Sequence, residues 1–181
     1  VWHHKLGGTQ DQKYLQLQST NAVATESDIL FGNTDWSSTE FEIGAWNVVN
    51  RDSQTYVSYM FDEVQGYSKF GSYTGNGNAD GTFVYTGFKP AFLIAKETGA
   101  TRNWTMADSK SQTNGNGGVT NSFQPNTNSA QDANERMDWL SNGFKLRNTS
   151  TTWNTSGGTY IYIAFAEHPF VSSKGVPTTA R

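Results

Sequence analysis

Thr159-Tyr160-Ile161-Tyr162-Ile163-Ala164-Phe165-Ala166-Glu167 is an almost unbroken run of β-branched, aromatic and small apolar residues. Such a run, of strand length, predicts a central strand with both faces covered. Much the same text stands 104 residues earlier, as Thr55-Tyr56-Val57-Ser58-Tyr59-Met60-Phe61-Asp62-Glu63. Residues 56–61 are therefore expected to form a second covered strand. A neighbouring block also recurs: Asp35-Trp36-Ser37-Ser38-Thr39-Glu40-Phe41-Glu42-Ile43 returns 103 residues later as Asp138-Trp139-Leu140-Ser141-Asn142-Gly143-Phe144-Lys145-Leu146. Two blocks in the same order, their spacings differing by one loop residue, define a duplicated module.

The second copy extends further towards its own start than the first. It opens near Gly71-Ser72-Tyr73-Thr74-Gly75-Asn76-Gly77, whereas residues 1–4 already align with residues 105–108. The expected organisation is a first repeat over 1–70, incomplete at its N-terminus, a second, complete repeat over 71–171, and an extended tail over 172–181. Alternating stretches surround the two runs. Tyr14-Leu15-Gln16-Leu17-Gln18, Glu40-Phe41-Glu42-Ile43 and Gly143-Phe144-Lys145-Leu146-Arg147 each read as a strand with one wet face.

Composition agrees with this pattern. Aromatics reach 14 % and charged residues only 16 %, a texture of turns and strands that long helices do not have. Six Trp, eight Tyr and eleven Phe exclude a disordered chain. A net charge of −3 with 13 dispersed Lys and Arg offers nothing to nucleic acid. No apolar run is long enough for a spanning helix, so no membrane insertion is expected. The absence of Cys removes disulfides and thiolate metal sites. Between the strands, residues 109–134 read as a long polar loop with one helical turn near 132–137. The fold expected is all-β: a jelly-roll or lectin-like β-sandwich built from two sequence repeats.

Phe70-Gly71-Ser72-Tyr73-Thr74-Gly75-Asn76-Gly77-Asn78-Ala79-Asp80-Gly81, the segment from Phe83 to Phe92, Ser141-Asn142-Gly143-Phe144-Lys145-Leu146 and the segment from Gly157 to Glu167 together resemble a tandem module. It is similar to C-terminal repeats of tail-fibre-like and other virion-associated proteins of marine bacteriophages. The resemblance covers nearly the whole chain. It implies an adhesion or structural role on a virion, outside the cell, and it supplies no catalytic residues.

Candidate binding residues lie in polar loops. Trp153 stands in Asn148-Thr149-Ser150-Thr151-Thr152-Trp153-Asn154, with no apolar neighbour. A displayed indole there would stack on a sugar while Asn154 and Asn148 bond its hydroxyls; the plainer reading has Trp153 plugging the sandwich edge. Trp46 occupies the corresponding loop of the first repeat, and Asn114 and Asn116 sit in the Gly-rich loop. Trp36 and Trp139, retained in both copies, read as core. Asn76, Asn78 and Asp80 have the i, i+2, i+4 spacing that opens a calcium loop, and calcium is the one cofactor the sequence suggests. The twelfth-position Glu of such loops is missing, and a Gly-rich hairpin turn is the simpler account. Glu63 and Glu167 end the two equivalent strands, so a glycosidase pair is a third reading. His3, His4 and His168 match no metal spacing, and no nucleophile-elbow or phosphate-loop motif occurs.

The function expected is a non-catalytic, tail-fibre-like adhesion module that recognises host-surface glycans or a receptor. It would form a homo-oligomer, a trimer being usual for fibres, beside other virion proteins. The alternative is a structural or decoration protein of a virion that makes only protein contacts. A glycan depolymerase comes third.

Overall fold

In a computed structural model, residues 1–6, 12–26, 39–112 and 119–172 are described. Trp36, Asn114 and Asn116 lie outside them. The described part is all-β. A small ladder pairs β1 (Lys13–Tyr14) with β2 (Ala24–Thr25). The main body comprises β3 (Ser68–Thr74), β4 (Phe83–Tyr85), β5 (Pro90–Glu97), β6 (Thr105–Gln112), β7 (Val119–Phe123), β8 (Asp132–Leu140), β9 (Gly143–Leu146) and β10 (Thr159–Ala166). These eight strands form one antiparallel succession, β3-β10-β5-β6-β7-β8-β9-β4.

That succession folds over on itself as a β-sandwich. Tyr73 of β3, Leu93 and Ala95 of β5 and Tyr160, Tyr162 and Ala164 of β10 meet Val84, Met137, Trp139, Phe144 and Leu146 of the β4, β8 and β9 layer. Tyr73 stacks on Tyr160 with ring centroids 4.9 Å apart, and Phe144 sits edge-on to Tyr73 and Tyr162 at 5.9 and 5.7 Å. Such edge-to-face and offset arrangements favour the aromatic quadrupole. Trp139 is core, as its place in the repeat implied.

β10 earns its central position from its sequence. Tyr160, Tyr162 and Ala164 point into the sandwich, while Ile161 faces the other way. The outer face is covered by the N-terminal segment: Leu6, Leu15 and Val23 pack there against Ile161, Ile94 and Trp104. Trp104 Nε1 donates to the Gln16 carbonyl at 2.9 Å, and Val23 N–H donates to the Thr98 carbonyl at 2.8 Å. Residues 1–6 and 12–26 thus back the sandwich.

Three local expectations change. Residues 132–137 are not a helical turn but the first part of β8, held by β7 and β9. The long polar stretch 109–134 contains β7. Of the alternating segment 14–18 only Tyr14 is in a strand, and 40–43 is not a strand. The largest correction concerns residues 56–61. They form no strand and are exposed: Val57 by 77 %, Tyr59 by 82 %, Met60 by 61 % and Phe61 by 63 %. A strand exists only through its partners. β10 has β3 and β5, and 56–61 has no neighbouring strand among the described residues.

Candidate functional site: a polar cleft at the loop end

The loop 147–158 was the main candidate, and the fold turns it inward. Trp153 is 1 % exposed and belongs to the core, so it is not a displayed stacking platform. An indole of that size in a loop otherwise made of Thr, Ser and Asn is drawn in by the apolar area it removes from water. The Tyr73 hydroxyl donates to the Trp153 carbonyl at 2.9 Å and fixes the segment over the core. Asn154 follows it inside. Its Oδ1 accepts the Asn76 N–H at 2.8 Å, and its Nδ2 lies 2.9 Å from the Asn78 carbonyl and 2.8 Å from that of Asn148. Asn154 is therefore a structural clamp between two loops, and Asn148 contributes a backbone acceptor to it. Gly75 permits this approach, since a Cβ there would stand 2.3 Å from the Thr155 carbonyl oxygen. Trp46 is half-buried and packs against Tyr14, with centroids 4.9 Å apart, away from this loop.

Asn76, Asn78 and Asp80 form a turn. Asn76 Oδ1 accepts the Asn78 N–H at 3.0 Å, and Asn78 Oδ1 accepts the Asp80 N–H at 2.9 Å. Asp80 Oδ1 pairs with Lys145 at 2.8 Å and Arg147 at 3.1 Å, which hold its carboxyl below the usual range. Asn76 Oδ1, Asn78 Oδ1 and Asp80 Oδ1 are thus engaged within the turn and its ion pairs. No group of three His, Asp or Glu able to hold a metal occurs among the described residues.

Glu63 and Glu167 are likewise engaged. Glu167 bridges Lys110 and Lys89, each at 2.6 Å, and these hydrogen bonds lower its pKa to about 2. For Glu63, burial raises the pKa, but the bond from Lys69 at 2.7 Å and the Phe70 N–H outweigh it. Neither is the raised carboxyl that a general acid needs.

What the loops do build is a cleft of about 230 Å³ at the end of the sandwich. Thr101, Arg102 and Asn103 come from the β5–β6 turn, Gln124 from beyond β7, Thr151 and Thr152 from the 147–158 loop, and Thr20 from the first repeat. Arg102 N–H donates to the Thr20 carbonyl at 2.9 Å, which ties the repeats together here. Glu97, 5 % exposed, positions the guanidinium: its Oε2 lies 3.3 Å from Arg102 Nε and accepts from Thr155 Oγ1 at 3.1 Å. Asn103 Nδ2 donates to Gln124 Oε1 at 2.8 Å, and its Oδ1 accepts from Asn126 at 2.9 Å. This leaves the terminal nitrogens of Arg102, the Gln124 amide nitrogen and the Thr101 and Thr152 hydroxyls without partners among the described residues. Below the turn lies the fully buried Lys96, whose ammonium donates to the Glu97 and Ala100 carbonyls at 2.7 and 3.3 Å. Burial lowers its pKa to about 8.

Residues 1–169 match a family described as a domain of unknown function, DUF7483. The chain belongs to the DUF7483 family. No curated protein and no solved structure matches it. The cleft in this DUF7483 domain draws on residues that sequence reasoning passed over. Its one available cue was Thr101-Arg102-Asn103, a cation within a turn directly before a Trp.

Proposed function

We propose that this DUF7483 domain is a non-catalytic recognition module of a virion-type appendage, and that the Arg102 cleft takes one unit of a surface glycan. The observation that carries this reading is the convergence on one cleft of donors from Arg102, Gln124, Thr101 and Thr152 that have no partner among the described residues. A ring bearing hydroxyls or a carboxylate supplies the acceptors they lack, and Arg is suited to a bidentate acceptor. At about 230 Å³ the cleft is smaller than a drug-sized pocket of roughly 300–1,000 Å³, which suits a single sugar unit. The test is a bacterial glycan array probed with the folded chain and with Arg102→Ala and Gln124→Ala, both with and without chelator. Specific hits weakened at least about tenfold in Arg102→Ala, and unchanged by chelator, are expected. A blank array from the folded protein removes this reading.

A second reading, a structural module that makes protein contacts, is favoured by the exposed apolar residues 56–61. Sedimentation across a concentration range, or capture of a virion partner chain, tests it.

A further inference from the structure

Residues 55–63 carry the sequence of a sheet centre and lie in water. The side chains of Val57, Tyr59, Met60 and Phe61 are more exposed than covered. The peptide groups of 57–61 make no hydrogen bond among the described residues. An extended, apolar segment with an unpaired backbone is a template for strand addition.

The repeat tells what would add to it. Its counterpart 104 residues on is β10, paired along its length on both sides. Ile163, which matches Tyr59, faces Phe70 of β3 and Ile94 of β5; Tyr160, which matches Tyr56, faces Tyr73 and Glu97. Phe61, like its match Phe165, already touches the aromatic patch of the second module: its ring lies 6.4 Å from Phe70 and 6.0 Å from Phe165. The segment is thus held at Phe61 and by the Tyr56 hydroxyl, which accepts the Arg51 N–H and donates to the Asn47 carbonyl, while the peptide groups between are unpaired among the described residues.

We infer that residues 55–63 are an acceptor strand that takes two antiparallel strands of the β3 and β5 type, one on each side, from a module of this same family. The register is that of β10 shifted by 104 positions, with Tyr59 opposite the counterparts of Phe70 and Ile94. This inference rests on the protein-contact reading and narrows it to one kind of contact.

The test fuses a second copy of residues 67–104 directly ahead of Val1, a junction the repeat alignment permits because Val1 matches Thr105. Amide hydrogen exchange at 57–61 is then compared among the unextended chain, the fusion and a fusion whose extension has a scrambled sequence. Slowing on the order of a hundredfold or more in the ordered fusion alone is expected, and Tyr59→Pro in that fusion should abolish it. Equal exchange in the ordered and scrambled fusions overturns the inference. Self-association of the chain together with equal exchange in the two fusions keeps the contact reading and loses this one.

Discussion

Trp153 and Asn154 act from inside the fold, so their replacement tests folding and not binding. Trp153→Ala would empty a fully buried site, at about 3–5 kcal/mol. Asn154→Ala would orphan the Asn76 N–H and the Asn78 and Asn148 carbonyls, at about 2–3 kcal/mol. Chemical denaturation of both variants checks this; either one unfolding as the natural chain does would contradict the clamp. His3 gives a pH dependence. Its Nε2 lies 3.1 Å from the Tyr162 carbonyl oxygen and must carry the proton, while Nδ1 accepts the Lys5 N–H at 3.1 Å. Burial lowers its pKa to about 4, so the folded chain holds it neutral where the unfolded chain, near 6.5, binds a proton. Stability should therefore fall as pH drops from about 6.5 to 4, and His3→Gln should flatten that slope. Glu167, with its lowered pKa, contributes a further loss only from about 4.5 down to 2. Midpoints at pH 7, 5.5 and 4 separate the two.

Two elements of nearly the same sequence have opposite fates. The run 159–167 was readable as a covered strand because its composition, length and partners all agree. The run 55–63 has that composition without the partners, and single-chain periodicity does not register a missing neighbour. Trp153 left two readings open, a displayed indole and a plug at the sandwich edge, and its burial decides for the plug. Its local surroundings are polar, and only the distant Tyr73 and β10 make its pocket apolar. The cleft was hardest to foresee, because Arg102, Gln124 and Thr152 converge from three separate loops. At this scale, Val57→Lys and Tyr59→Lys should each change stability by less than about 0.5 kcal/mol, since those side chains stand in solvent. A larger loss in denaturant titrations would show that the run is packed.

For the molecule as a whole, the eight strands from Ser68 to Ala166 supply the sandwich, and the N-terminal segment seals its outer face through Leu6, Leu15 and Val23. Leu15→Ala, a change in the N-terminal segment, should therefore cost about 2–5 kcal/mol and lower the single unfolding transition of the sandwich. Two resolved transitions in a calorimetric scan, with only the lower one shifted, would contradict that coupling. The sandwich also begins and ends side by side: the Ala166 N–H donates to the Tyr67 carbonyl at 2.8 Å, at one end of the β3–β10 ladder. Tension applied between those two points would open the ladder one rung at a time, like a zip, instead of shearing all its rungs together. A string of such modules loaded end to end would yield at low force and lengthen step by step. It would behave as a compliant tether more than as a rigid strut.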